Sequence, residues 1–327
     1  MRVVFMGSSA ASATCLKAIM RESALEVVGV VTQPDRPAGR GKVLTPCPCK
    51  AFAQVHGIRN VISPENVNEP ATLAQIYAWH PDVIAVVAFG QFLRQPLLEM
   101  PRHGCVNCHF SLLPKYRGAS PVVAAIAAGE KLTGVTVMRM GPGMDDGPIM
   151  LQAYEPIYSD VTGGMLMNDL ATVGGVTLAK ALCLLAEGKL PPEVKQCEED
   201  ATYAHKLKKT DGLIDWAAPV LAIERRIRAY SPWPGCHTFL PERFRRKGNS
   251  GRLAVTRAKI VNNLEDSWRS AQPGSVLAII KEGPVIKCGD TALLLLEVKP
   301  EGGGVMPADA FLRGRQLVPG DDILKGS

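Results

Sequence analysis

The segment GCVNCHFSLLPKYRG, Gly104–Gly118, combines the composition of a buried strand with polar side chains that a buried strand rarely carries. Asn107 and His109 interrupt an otherwise apolar run two positions apart. Alternate residues of a strand share a face, so the two side chains point the same way, with roots about 7 Å apart. The Ser-Leu-Leu-Pro turn that follows places the pair at the carboxyl end of the strand, where open α/β sheets bind ligands.

Strand and helix signals alternate on both sides of this segment. Strand-like apolar runs cover Arg2–Gly7, Leu25–Gln33, Asp82–Gly90, Thr133–Met140 and Gly147–Ile157, and helical spacing follows the first of them. This alternation predicts an α/β fold whose sheet is mostly parallel and covered on both faces. An NAD site is not expected, because only the first glycine of the dinucleotide fingerprint is present after the first strand.

The 327 residues are sufficient for two domains. Apolar spacing predicts one long helix over Val161–Gly188, and the proline-containing, mixed-charge residues after it indicate a linker. Beyond the linker, a helix with Pro219 in its first turn precedes several short strands, which favours a small barrel or sandwich. We therefore predict a first domain over residues 1–189, a linker over 190–208 and a second domain over 209–327.

Positive charge is concentrated in the C-terminal part of the chain. Residues 206–327 hold 20 Lys and Arg against 13 Asp and Glu, a net charge of +7, whereas the whole chain has +6. This asymmetry favours a polyanionic partner such as nucleic acid, and a basic solvated surface is the alternative. The nine scattered cysteines predict reduced core thiols, so we expect neither a disulfide framework nor a metal site.

No apolar run in the sequence approaches the roughly 20 residues that span a bilayer, and no export signal follows Met1. We therefore expect no membrane association, and as a separate expectation we take the protein to be a monomer. The expected location is the cytoplasm for a bacterial host, or the matrix of a mitochondrion or plastid for a eukaryotic one.

Two glycine- and proline-rich segments carry charge. GPGMDDG, Gly141–Gly147, forms a tight loop between two predicted strands and offers two carboxylates. If its strands neighbour the Asn-His strand, one Asp can fix the imidazole tautomer while the amide donates to an oxyanion, as acyl or formyl transfer requires. The alternative is a turn-forming Asp near a hydrogen-bonded rim His. The basic loop Pro34–Lys50 is either functional or disordered.

The residues from Asn107 to Pro121 resemble the N-x-H-x-S-L-L-P-x-x-R-G-x-x-P signature of the folate-dependent formyltransferases. Asp145 resembles the Asp of the D-x-G loop in that superfamily. Within it, the chain is similar to the branch that acts on methionyl-tRNA: the Pro34–Lys50 loop looks like the basic insertion of that branch, and residues 202–216 and 227–240 look like the start of its C-terminal domain. The resemblance extends from Arg2 to about Pro319.

The resemblance implies a Rossmann-like N-terminal domain and a C-terminal barrel similar to an OB fold. It implies formyl transfer from 10-formyltetrahydrofolate to the α-amine of methionine on initiator methionyl-tRNA, without a metal. The residues that it assigns to catalysis are Asn107, His109 and Asp145. Those that it assigns to folate are Phe89, Gly90, Gln91, Ser111, Leu112, Leu113 and Pro114. Those that we expect to contact tRNA are Arg36, Arg40, Lys42 and Lys206.

Two departures from the family pattern bear on the site. Asp146 occupies a position where other residue types are usual, and it could compete with Asp145 for the imidazole; Phe110 could reshape the folate pocket. The alternatives are formyl transfer to a small amine, such as a glycinamide ribonucleotide or an amino-sugar nucleotide, a formyltetrahydrofolate hydrolase, and an inactive RNA-binding protein. The basic loop and second domain argue against the small amines, and the complete catalytic set argues against an inactive protein.

Overall fold

The structure, a computed structural model, describes residues 1–38, 41, 43–245, 250–262, 266–313 and 319–320. Two of the predicted tRNA contacts, Arg40 and Lys42, lie outside the described residues. Contacts between residues divide the chain into two compact units. The first comprises Met1–Pro121, Leu132–Pro156 and Leu166–His205, and the second comprises Val122–Lys131, Ile157–Met165 and Lys206–Ser327.

Strands and helices largely alternate over residues 1–204. In order they are β1 (Arg2–Gly7), α1 (Ala10–Ile19), β2 (Glu26–Val31), β3 (Arg36–Ala38), β4 (Val43–Thr45), α2 (Pro48–Val55), β5 (Val61–Ile62), α3 (Pro70–Tyr77), β6 (Val83–Val87), α4 (Gln95–Leu98), β7 (Cys105–His109), β8 (Arg117–Gly118), α5 (Pro121–Ala128), β9 (Leu132–Arg139), β10 (Ile149–Pro156), α6 (Gly163–Ala186) and β11 (Tyr203–Ala204).

Seven of these strands form one sheet in the order β10-β9-β7-β6-β1-β2-β5. The five strands from β7 to β5 run parallel, and β9 and β10 extend the sheet antiparallel. Parallel strands are covered on both faces, which explains why β1 and β6 are continuous apolar runs. The prediction of an α/β fold with a mostly parallel sheet is confirmed, with the refinement that the sheet is mixed.

The strand order places the candidate site. From β1 the chain first adds β2 and β5 on one side, and then adds β6 and β7 on the other. Ligands of such sheets bind at the carboxyl ends of strands near this reversal. The carboxyl ends of β6 and β7 are neighbours, because Val86 pairs with Asn107.

Helix α6 corrects one expectation from the sequence. Its 24 residues, Gly163–Ala186, are long and apolar enough to cross a membrane by length and composition, so the prediction that no segment approaches that length is wrong. Half of its most apolar window is nevertheless buried inside the protein. Gly174 O accepts a hydrogen bond from the Cys108 thiol on β7, and Ala171 O accepts one from Cys15. These contacts are those of a core helix.

The second unit is rich in strands, as predicted. From residue 206 onward its helices and strands are α7 (Val220–Ala229), β12 (Cys236–Phe239), β13 (Arg252–Val261), β14 (Val276–Ile280), β15 (Gly283–Lys287), β16 (Ala292–Pro300), β17 (Met306–Pro307) and α8 (Ala308–Arg313). The strands form one antiparallel sheet in the order β12-β13-β16-β15-β14, with β17 beside β16. The fully buried Trp216 lies in its core, and its indole N–H donates to Thr238.

Pro219 precedes α7 as its N-cap rather than lying in the first turn. The first backbone N–H groups of any helix lack partners within the helix, and the Pro219 side chain offers no acceptor for them, so another group has to bond them. The carboxylate of Asp290 does so, with Oδ1 2.7 Å from the backbone nitrogen of Val220.

Candidate active site

The structure brings Asn107, His109 and Asp145 together. Asn107 and His109 lie on one face of β7, and Asp145 lies in the turn between β9 and β10. Asn107 Nδ2 is 3.4 Å from Asp145 Oδ1, and His109 Nδ1 is 3.5 Å from Asp145 Oδ2. The side chains of His109 and Asp145 are only 6% and 19% exposed, so their interaction is weakly screened by solvent.

The backbone of Asp145 explains why this carboxylate, and not its neighbour, faces the imidazole. Asp145 has a left-handed backbone, with φ of 51°, a region in which Asp is tolerated better than most residues. The backbone N–H of Gly118 donates to Asp145 Oδ2 over 2.8 Å. Asp146 is exposed to solvent. The predicted competition between the two carboxylates therefore does not occur in this conformation.

Both ring nitrogens of His109 face acceptors of the protein. Nε2 lies 2.9 Å from the carbonyl oxygen of Tyr116, which can only accept, so Nε2 carries a hydrogen. Nδ1 faces the carboxylate of Asp145. When both nitrogens are protonated, each N–H has an acceptor. The protein therefore provides a hydrogen-bond acceptor for each N–H group of a doubly protonated His109 ring.

A buried polar network behind Asp145 was not predicted from the sequence. Gln196 Nε2 donates to the carbonyl oxygens of Asp145 and Gly147 over 2.8 and 2.7 Å. Gln196 Oε1 accepts from the buried Arg117, which also forms two hydrogen bonds with Glu198. These bonds raise the pKa of Arg117 and lower the pKa of Glu198. The sequence feature that points to this network is Arg117 in the SLLPKYRG motif, but its partner Gln196 lies 79 residues away along the chain.

The predicted folate segment after β6 has an exposed centre between two anchored residues. Phe89 is buried, and its carbonyl oxygen accepts from Ser8 Oγ and Gln33 Nε2. Gly90 is exposed and has a left-handed φ of 85°. The side chain of Gln91 bonds the backbone of Pro64 and Val67. The exposed backbone at Gly90 is therefore the part of this segment that is positioned to meet a ligand.

The second predicted folate segment, Ser111–Pro114, is a hydrogen-bonded turn directly after β7. Ser111 is buried and donates to Lys115 O over 2.6 Å, as a turn residue does. Leu113 is buried, with its N–H bonded to Thr136 and its carbonyl to Gln152. Leu112 and Pro114 are half-buried and keep part of their surface at the end of the strand.

The predicted tRNA contacts that the structure describes are exposed. Arg36 begins the hairpin β3–β4, which folds part of the predicted basic loop, and it forms an exposed ion pair with Glu65. Lys206 is exposed at the start of the second unit. Arg40 and Lys42 lie outside the described residues.

All nine cysteines are free thiols. Burial raises the pKa of Cys49, Cys105, Cys236 and Cys288 to about 12, so these thiols remain protonated at neutral pH. Within the described ranges, His, Cys, Asp and Glu side chains form no cluster of three or more suited to a metal ion.

Family models match both parts of the chain. The formyl transferase model matches residues 1–182, and the model of the formyl transferase C-terminal domain matches residues 206–316. A curated relative from Pseudomonas entomophila, named methionyl-tRNA formyltransferase, is 42% identical over 99% of both chains. A relative of the same name from Symbiobacterium thermophilum is 42% identical over 96% of this chain and 92% of its own.

Solved structures share the fold at lower identity. HypX from Aquifex aeolicus in complex with tetrahydrofolic acid superposes with a TM-score of 0.59 at 16% identity, over 95% of this chain and 47% of HypX. Glycinamide ribonucleotide transformylase 1 from Symbiobacterium toebii superposes with a TM-score of 0.51 at 24% identity, over 61% of this chain and 94% of that protein. The chain thus spans about half the length of HypX. The near-complete match at 42% identity and the two family models confirm the resemblance seen in the motifs: the chain belongs to the formyl transferase family, among the methionyl-tRNA formyltransferases.

Proposed function

We propose that this protein transfers a formyl group from 10-formyltetrahydrofolate to the α-amino group of methionine on initiator methionyl-tRNA. The observation that carries the proposal is the convergence of Asn107, His109 and Asp145 within 3.5 Å contacts at the end of β7. The full-length relatives named methionyl-tRNA formyltransferase support the choice of acceptor.

The folate co-substrate fits the residues at the adjoining ends of β6 and β7. Gly90 follows β6 and the turn Ser111–Pro114 follows β7, and the pairing of Val86 with Asn107 makes the ends of these two strands neighbours. 10-Formyltetrahydrofolate would supply a formyl group whose carbonyl carbon is the electrophile. The amine nitrogen bonds to that carbon, the bond from the carbon to N10 of the folate breaks, and N10 takes up a proton as tetrahydrofolate leaves. The solved relative that holds tetrahydrofolic acid has the same fold.

Asn107 is proposed to stabilise the negative charge that develops on the formyl oxygen. Its amide nitrogen carries two N–H groups, so one can hold Asp145 while the other donates to that oxygen. Fixed donors of this kind act most strongly where water is excluded, and the loss of one typically costs about 10²–10³ in turnover.

The attacking amine must lose a proton, and we infer that the His109–Asp145 pair accepts it. Both ring nitrogens of His109 face protein acceptors, whereas the carboxylate of Asp145 retains some exposure. Asp145 is therefore the member of the pair that can take the proton, directly or through a water. When His109 carries a proton on both ring nitrogens, its charge lies beside the developing oxyanion and stabilises it.

The second unit is proposed to close its antiparallel sheet into a barrel similar to an OB fold and to contact tRNA. The sheet has five strands in the order β12-β13-β16-β15-β14, the strand number of such barrels, and the two-residue β17 is added beside β16. Arg36, Arg40, Lys42 and Lys206 are proposed to contact phosphates, which gives salt-sensitive affinity rather than base choice.

A formylation assay tests the proposal. Purified protein is mixed with 10-formyltetrahydrofolate and either methionyl initiator tRNA or methionyl elongator tRNA, and formylmethionine is quantified by mass spectrometry after deacylation. We expect formylation of the initiator tRNA, reduced at least about a hundredfold by Asn107→Ala. Formylation of glycinamide ribonucleotide or an amino-sugar nucleotide instead, or formate release without an acceptor, would overturn the proposal.

A further inference from the structure

The two groups that orient His109 belong to residues with an unusual backbone. Tyr116, whose carbonyl oxygen meets Nε2, has a φ of 62°, and Asp145, whose carboxylate meets Nδ1, has a φ of 51°. The left-handed region is disfavoured for residues with a side chain, most of all for a bulky one such as Tyr. Both residues therefore need surrounding contacts that hold them in place.

The segment that follows α6 holds both residues. Gln196 donates to the carbonyl oxygen of Asp145 over 2.8 Å, and to that of Gly147 two residues later. The hydroxyl of Thr202 accepts from the backbone N–H of Tyr116 over 2.8 Å. Each of the two residues that contact the imidazole is thus bonded to one side chain of residues 193–204.

The segment belongs to the first unit and is anchored there by hydrogen bonds at both of its ends. Val194 exchanges two backbone hydrogen bonds with Ile149 at the start of β10. Further along, β11 pairs in parallel with β8, so that Tyr203 lies opposite Arg117. The Arg117 guanidinium joins Gln196 to Glu198, and both Arg117 and Gln196 are at least 95% buried. A satisfied buried network of this kind gives its members one geometry.

We propose that residues 193–204 form part of the catalytic site, in which Gln196 and Thr202 are positioning residues for His109. They act through Asp145 and Tyr116 respectively, without touching the reacting atoms. The proposal deepens the proposed formyl transfer and rests on it. Gln196 should contribute more than Thr202 to the positioning of His109. Gln196 is buried and bonds two carbonyl groups, whereas Thr202 is exposed and bonds one N–H group.

Gln196→Glu separates positioning from a purely structural role. The introduced carboxylate keeps an acceptor for Arg117, but it cannot donate to the carbonyl groups of Asp145 and Gly147. We expect a folded protein with a kcat about 10–100-fold lower and little change in KM, because small displacements of catalytic groups have effects of this order. Thr202→Val should lower kcat by a smaller factor, and Thr202→Ser, which keeps the hydroxyl, should restore it.

Matched controls make the same chemical changes on exposed helix surfaces: Gln54→Glu on α2 and Thr172→Val on α6. Both should retain the wild-type kcat. Thermal denaturation of every variant shows that rates are compared between folded proteins.

A second measurement is independent of activity. The ring signals of His109 in ¹⁵N-labelled histidine spectra, assigned through His109→Gln among the six histidines, report which nitrogens carry protons. In Gln196→Glu these signals should move while those of the other five histidines stay. Unchanged His109 signals or an unchanged kcat in folded Gln196→Glu would overturn the inference. Inactivity of the wild type on methionyl-tRNA would instead overturn the proposed function, and the spectra would still decide the positioning role.

Discussion

The charge of Asp145 can be removed with almost no change of shape by Asp145→Asn. In the native site, Oδ2 accepts from the Gly118 N–H and faces His109 Nδ1, while Oδ1 faces the amide of Asn107. An amide at position 145 has one oxygen to serve these three groups. If that oxygen keeps the Gly118 bond, the new NH₂ group faces the NH₂ group of Asn107, and the Asn107 amide has to turn its donors away from the formyl oxygen.

The expected size of the effect follows from the distance. Two unit charges 3.5 Å apart attract each other by about 5 kcal/mol at the effective dielectric constant of about 20 that suits protein sites. Part of this attraction only repays the cost of burying the two charges, and we assign about 3 kcal/mol to the net support of the imidazolium. Since about 1.4 kcal/mol corresponds to tenfold in rate, Asp145→Asn should lower kcat by at least roughly 150-fold, because the loss of the proton acceptor adds to this effect.

Single-turnover formylation of methionyl initiator tRNA at saturating folate measures this directly, because neither substrate binding nor product release then limits the rate. The matched control is Asp146→Asn, which makes the same change at the adjacent, exposed carboxylate. It should leave the rate within about twofold, as surface substitutions usually do. A fast Asp145→Asn variant, or equal losses in the two variants, would contradict the role of Asp145 as the charged partner of His109.

Four further outcomes are expected. His109→Ala should lower turnover at least about a hundredfold in a folded protein, and a near-normal rate would remove its proposed role. Arg40→Ala should raise KM for tRNA and reduce the salt dependence of KM, since a phosphate contact is lost; an unchanged KM across a salt series would make the basic loop passive. Native protein should react with a thiol reagent first at the exposed Cys197. Burial raises the pKa of four other thiols to about 12, so they should react only after denaturation: Cys49, Cys105, Cys236 and Cys288. Early labelling of these four, mapped by mass spectrometry, would contradict their burial. Asp290→Ala should lower the free energy of unfolding by about 1–2 kcal/mol through loss of the α7 cap. Partial burial acts to raise the pKa of Asp290, but hydrogen bonds from backbone N–H groups hold it below 3.8. The contribution of Asp290 to the free energy of unfolding should therefore be complete above pH 3.8 and be lost as the pH falls below it. Urea denaturation that shows the same loss of stability in Asp290→Ala at neutral and acid pH would contradict this.

The elements that the sequence predicts well are those whose burial produces a periodic signal. Arg2–Gly7 was predicted with the bounds that β1 has, because a parallel strand covered on both faces is a continuous apolar run. The common face of Asn107 and His109 follows from the two-residue period of any strand, whatever its partners. Fold class and the central pair of the site are therefore accessible from local sequence.

The residues that hold the catalytic side chains in position cannot be predicted from local sequence in this way. Residues 190–208 carry two prolines and mixed charge, and they were predicted as a linker, yet Gln196 and Thr202 bond the residues that orient His109. Their partners lie 51 and 86 positions away, and β11 is only two residues long. The β3–β4 hairpin was missed for a related reason, since Pro37 suppresses the strand signal in a pair of three-residue strands. Contacts to single backbone groups leave no periodic pattern in the sequence.

The choice between Asp145 and Asp146 shows how a local and a catalytic explanation of one residue combine. From the sequence, an Asp in a glycine-rich loop is a turn-former or a catalytic carboxylate, and two adjacent Asp residues leave the choice open. In the structure, Asp145 adopts the left-handed backbone that Asp tolerates, with its carbonyl oxygen held by Gln196 and its carboxylate directed at His109. Consecutive residues of a tight turn point in different directions, so the same backbone leaves Asp146 in solvent. The left-handed turn conformation of Asp145 therefore directs its carboxylate at the imidazole, so Asp145 is both the turn-forming residue and the carboxylate of the site.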